Sequence, residues 1–110
     1  MKIESFMEEM EFDESRIKTK VIMETLFSKE IRILIKVGQI MKEHKAPYPV
    51  LIHILAGKIE LGVLGIKQLM NTGQIIALDG DVPHDLIAIE DTIIRLTISK
   101  HDKIERLNLL

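Results

Sequence analysis

A series of short strand-like segments, each ended by turn residues, most constrains the fold of this chain. Runs rich in Ile, Val and Leu recur from position 17 onward, and Gly, Pro, Asn or Asp stands in nearly every gap between them. The predicted strands cover residues 17–24, 31–37, 50–55, 59–63, 66–70, 75–78, 86–89 and 92–98. Many short strands with such turns are typical of a sandwich or barrel. The sequence therefore predicts an all-β fold of antiparallel sheets.

The length of the chain predicts one domain with a non-strand segment at each end. A chain of 110 residues can bury a single core, and 46% hydrophobic with 4% aromatic residues makes that core aliphatic. Residues 1–15 form an acidic arm, whose interspersed Phe and Met side chains predict that part of it packs against the body. Residues 99–110 form a tail for which helix and strand both remain open. We expect a single domain over residues 1–110.

Composition also excludes several classes of function. The chain has no cysteine, which rules out disulfides and thiolate metal sites and makes the cytoplasm the expected compartment. No run approaches the roughly 18 apolar residues of a membrane span. A net charge of -2 offers no electrostatic basis for binding nucleic acid. We expect neither a nucleic acid nor a membrane as partner.

The predicted strand over residues 50–55 is apolar on both faces. Val50, Ile52 and Ile54 share one face, and Leu51, His53 and Leu55 share the other. A strand with one buried face would alternate apolar and polar residues. In a chain this short, the simplest cover for the second face is another copy of the chain, so the pattern predicts a homodimer.

Two spaced motifs give the chain a resemblance to a known family. In the first, Gly38 is followed after five residues by His44, and Gly57 closes the motif. In the second, Gly73 and His84 stand in register. Together the motifs resemble those of the cupins, which are small β-barrels with jelly-roll topology. The resemblance spans residues 33–98 and implies a cupin-like jelly-roll barrel.

The chain departs from the cupin motifs at several positions. Ala46 and Val50 stand where the family has its second histidine and its glutamate, and Asp79, Asp81 and Ala88 replace Pro, Gly and Asn of the second motif. The resemblance implies a divalent metal (Fe, Ni, Zn, Mn or Cu) held by three histidines and a carboxylate. His44 and His84 alone match that set, so we expect weak metal binding at most.

Two functions follow from this resemblance. The first is binding of a small molecule in the barrel, with His44 and His84 as polar anchors and Tyr48 as a further ligand-binding residue. The second is a metal-dependent enzyme of the dioxygenase or isomerase type with a reduced ligand set. The lost ligands favour the first, and no catalytic residue is identified. A purely structural dimer module is a third interpretation, which leaves the matching histidines unexplained.

The remaining polar residues have simpler interpretations. Strand parity places His53 away from the expected site, where it needs a backbone or partner acceptor. His101 lies in the tail and is expected to be solvated. Lys42 shares the parity of His44 unless a bulge intervenes, and its charge would then oppose metal binding. Three acids are expected to be turn residues: Asp79, Asp81 and Asp85. Tyr48, between two prolines, is as consistent with packing under its loop as with lining a pocket.

Overall fold

The computed structural model of the protein describes residues 1–100, which form nine strands and no helix. The strands are β1 (Lys18–Glu24), β2 (Ser28–Ile35), β3 (Ile40–His44), β4 (Val50–Ala56), β5 (Lys58–Val63), β6 (Ile66–Asn71), β7 (Ile75–Leu78), β8 (His84–Ala88) and β9 (Thr92–Ser99). Within these residues no helix is long and apolar enough to cross a membrane. Of the predicted tail over residues 99–110, Ser99 belongs to β9, and residues 101–110, which include His101, lie outside the described residues.

The strands form two antiparallel sheets that enclose one aliphatic core. One sheet has the order β1-β2-β9-β4-β7 and the other β3-β8-β5-β6. Their facing side chains include Ile35 and Ile54 of the first sheet and Ile59 and Leu61 of the second, all fully buried. The all-β jelly-roll prediction is confirmed. Eight of the nine strands follow the predicted segments, which shows that the turn residues marked the strand ends correctly.

Strand parity in β4 agrees with the sequence prediction. Val50, Ile52 and Ile54 are buried in the core, whereas Leu51 on the opposite face is exposed. The strand ends at Ala56 and is followed by Gly57, which has a φ of +109°. The Asp91 carbonyl oxygen and Thr92 lie so close to Gly57 that no side chain would fit there. The turn into β5 therefore depends on glycine at this position.

The acidic arm lies across the outer face of the five-stranded sheet. The guanidinium of Arg32 on β2 donates to the carbonyl oxygens of Phe6, Glu8 and Glu9, at 3.3, 2.7 and 3.4 Å. The Phe6 ring lies 5.6 Å from the guanidinium carbon of Arg95. The prediction that part of the arm packs against the body is confirmed.

The arm divides the outer face into two parts. We call the part over β1 and β2 the covered half; there Arg32 and Leu34 are 5% and 2% exposed. We call the outward side chains of β4 and β7, together with the neighbouring Phe27, the open half. It includes Leu51 and Ile75, which are 37% and 56% exposed.

Candidate functional site

The structure brings His44 and His84 together on the inner side of the four-stranded sheet. The two residues lie directly opposite each other where β3 pairs with β8. Between Met41 and His44 the register shifts, because β3 contains a bulge. The bulge lets both Met41 and His44 face the core side, while Lys42 is exposed. Because of the bulge, Lys42 does not share the face of His44.

The two imidazoles are oriented in the same way by backbone carbonyls. Their ring centroids are 4.4 Å apart with an interplanar angle of 60°. Nδ1 of His44 donates to the Lys42 carbonyl oxygen, and Nδ1 of His84 donates to the Val82 carbonyl oxygen, both at 2.9 Å. A carbonyl only accepts, so Nδ1 carries the hydrogen and Nε2 holds the lone pair of each neutral ring. The pair can therefore accept hydrogen bonds or bind a metal through two Nε2 atoms.

The cavity beside these rings is small and otherwise apolar. Its volume is about 10 Å³, which matches roughly one water molecule or one metal ion. Apart from the histidines, its lining residues are Ile33, Met41, Ile52, Leu86, Ile94 and Leu96. His84 is 4% exposed, whereas His44 is open to solvent. A ligand would thus reach the buried ring past the exposed one.

The four-ligand metal set of the cupins does not fit these residues. Ala46 packs against the core and Val50 belongs to it, so neither position supplies a donor. Among residues 1–100 no group of three or more His, Cys, Asp or Glu side chains could hold a metal. Two imidazoles without a carboxylate leave a divalent ion with uncompensated charge in an apolar cavity.

Other residues singled out in the sequence lie elsewhere. Tyr48 is partly exposed in the β3–β4 loop and does not line the histidine cavity. His53 is on the outer face of β4, as its parity predicted, and its buried Nδ1 has no hydrogen-bond partner among the described residues. Asp79 and Asp81 lie in the turn between β7 and β8, and Asp81 adopts a φ of +63° that fits a turn role. The expectation that Asp85 is a turn residue is wrong, since it lies within β8 and pairs with Gly62 of β5.

Sequence reasoning missed Met41 as a residue of the site. Met41 and His44 are three residues apart, so simple alternation would have placed their side chains on opposite faces of the strand. Only the bulge brings the Met41 side chain to the cavity. With only five residues, β3 is too short for its sequence pattern to show such a bulge.

No family model matches the chain. No curated protein matches it either. Likeness is instead found among solved structures.

Several solved structures share the architecture described above. An RmlC-like cupin protein from Desulfovibrio desulfuricans superposes with a TM-score of 0.81 at 24% identity, over 90% of this chain and 96% of that one. A conserved protein of unknown function from Streptococcus pyogenes gives 0.79 at 20% identity, over 93% and 90%. A cupin superfamily protein from Desulfitobacterium hafniense gives 0.76 at 11% identity, over 82% and 83%. With its two antiparallel sheets and its paired histidines, the chain has the cupin fold.

Proposed function

We propose that the protein binds a small molecule at the His44–His84 end of the sandwich. The observation that carries this proposal is the pair of imidazoles, each held by its Nδ1 so that Nε2 is available as an acceptor. Two neighbouring acceptors in apolar surroundings recognise a hydrogen-bond donor such as a hydroxyl group. Because the cavity holds only about one small group, the rest of the ligand stays at the mouth, near the exposed His44.

Histidine resonances test this proposal directly. We expect small alcohols and polyols to shift the ring signals of His44 and His84 in NMR spectra recorded at pH 8. Acetate at the same concentration should leave them in place. A His53→Gln variant keeps both site residues and serves as the control. Shifts caused by acetate alone, or by neither class, would contradict the proposal.

The alternative function is a metal-dependent enzyme of the dioxygenase or isomerase type. Two histidines without a carboxylate favour weak binding of divalent ions. We therefore expect dialysis against a chelator to leave the fold intact and almost no Ni, Zn, Mn or Fe bound, as measured by elemental analysis of untagged protein. A stoichiometric divalent ion that survives this treatment would favour the enzyme instead.

We also propose that a second copy of the chain covers the open half of the outer face. Phe27 and Leu51 border a hollow of about 310 Å³, so the same surface offers both protruding apolar groups and a recess. The lining of the hollow is mainly apolar and includes Pro49, Leu51 and Ala77. A two-fold axis would let Phe27 of each copy enter the recess of the other and would remove this apolar surface from water.

We propose the cytoplasm as the compartment of the protein, because the absence of cysteine from the chain is consistent with a reducing environment.

A further inference from the structure

The histidine cavity contains a third donor that the cupin motifs do not include. Met41 lines the same cavity as His44 and His84, because the β3 bulge places it on the inner side. A thioether sulfur is a soft ligand, and soft thioether and imidazole donors favour Cu(I) among the metals available to proteins. The set of donors on this cavity is thus two imidazoles and one thioether.

The charge of the cavity points to the same metal. Its other lining residues are aliphatic, and no carboxylate is among them. The cost of placing an ion in apolar surroundings rises with the square of its charge, so a monovalent ion is disfavoured far less than a divalent one. The replacement of the cupin glutamate position by Val50 therefore acts against Zn²⁺ or Ni²⁺ and much less against Cu(I).

The hydrogen bonds of the two rings match those made by metal-binding imidazoles. Backbone carbonyls hold both Nδ1 atoms, which fixes the ring orientation and directs the lone pairs to Nε2. Such partners typically orient metal-binding imidazoles in proteins. The volume of about 10 Å³ accommodates a single ion without an additional organic ligand.

We propose that His44, His84 and Met41 form a Cu(I)-selective site. This inference involves the same histidines as the proposed small-molecule function but requires no organic ligand. The affinity can be measured anaerobically by competition with bicinchoninate, whose Cu(I) complex is coloured. We expect the wild-type chain to take Cu(I) from this chelator and to bind Zn²⁺ at least a hundredfold more weakly.

A matched pair of methionine variants isolates the thioether. Met41→Leu should reduce Cu(I) affinity at least about tenfold, since loss of even an outer-sphere partner costs about 10–100-fold. Met70→Leu changes a buried methionine that does not line the cavity, and should bind Cu(I) like the wild type. Both are nearly volume-conserving changes that leave the fold intact. X-ray absorption of the copper-loaded protein should show one sulfur neighbour in the wild type and none in Met41→Leu.

Two outcomes would overturn the copper site. Equal Cu(I) affinity of wild type and Met41→Leu would exclude the thioether, and equal affinity for Zn²⁺ and Cu(I) would exclude the selectivity. The NMR response to alcohols provides a separate measurement on Met41→Leu. If that response persists while copper binding is lost, the copper site and the small-molecule function are distinguished from each other.

Discussion

The two halves of the outer face of the five-stranded sheet have the same strand geometry but opposite exposure. On the covered half Leu34 is buried beside Arg32, whereas on the open half Leu51 is exposed. Both leucines point outward from strands that alternate in the usual way. Alternation thus decides which face a side chain occupies, but what lies over that face decides whether the side chain is buried.

Backbone groups explain why the arm covers one half. Arg32 donates to three main-chain carbonyls, which every residue of the arm possesses. Phe6 adds one aromatic contact, over Arg95. Closer to β1, Gln39 donates to the Asp13 carbonyl oxygen at 2.9 Å, and Lys36 pairs with the Glu14 carboxylate at 3.5 Å. The arm is therefore held mainly through its backbone carbonyls, with one ion pair from an acidic side chain.

The largest expected effect is the difference in unfolding free energy between matched variants of the two halves. Leu34→Ala removes a buried side chain and should lower the free energy of unfolding by about 2–5 kcal/mol. Leu51→Ala, the matched change on the open half, should cost less than about 1 kcal/mol at concentrations where the chain is monomeric. Urea unfolding of both variants measures the difference. Equal losses would show that the arm does not bury Leu34 in solution.

The second prediction concerns association through the open half. Leu51→Asp places a charge in the proposed interface and should raise the dimer dissociation constant at least about tenfold, measured by analytical ultracentrifugation at micromolar concentrations. Leu64→Asp is the control, since Leu64 is an exposed turn leucine between β5 and β6 with a φ of +51° that aspartate tolerates.

A wild-type chain that sediments as a monomer at these concentrations would contradict the dimer. So would an equal rise in the dissociation constant for Leu51→Asp and Leu64→Asp. Either result leaves the comparison between the two halves intact but removes the second copy from the open one.

The sequence predicted the fold because its turns and its core follow local rules. Gly57 occurs where a positive φ is needed, and the inward residues of β4 are apolar at every second position. It did not predict that Arg32 and Glu30 would be buried, because both alternate with Ile31 and Ile33 like solvent-facing residues. The cover of Arg32 comes from carbonyls of a distant segment, and a carbonyl leaves no mark in a side-chain pattern. Glu30 is instead held by side chains of β2 and β9, whose pairing is not visible in the sequence.

The sequence also predicted part of the candidate site but not all of it. Motif spacing indicated His44 and His84, and the structure places the two rings side by side. It did not indicate Met41, since a bulge changes the parity of every residue on one side of it. The ligand-binding roles of His44, His84 and Tyr48 stay predictions.

The smallest expected effect concerns Glu30, which belongs to β2 on the covered half and also lines the hollow of the open half. Its Oε1 accepts from Arg95 at 2.9 Å and from Thr97 at 2.6 Å, and its Oε2 accepts from Ser28 at 2.8 Å. Burial alone would raise the pKa of this carboxyl, but the hydrogen bonds from Thr97, Ser28 and Arg95 outweigh it and hold the pKa below the usual 4.5. The charged form is thus favoured in the folded state.

Because the pKa of Glu30 is lowered in the folded state, its contribution to the free energy of unfolding depends on pH. The stabilisation is fully present above the unfolded pKa near 4.5 and is lost as the pH falls through the lower folded value. Wild type should therefore be more stable than Glu30→Gln at pH 7, and the difference should shrink between about pH 5 and pH 3. Urea unfolding across this range measures it, with Glu60→Gln on the other sheet as the control for loss of a carboxylate. If the difference in unfolding free energy between wild type and Glu30→Gln stayed constant down to pH 3, the hydrogen bonds from Ser28, Arg95 and Thr97 would not favour the charged carboxylate. The contacts of Glu30 would then contribute through packing alone.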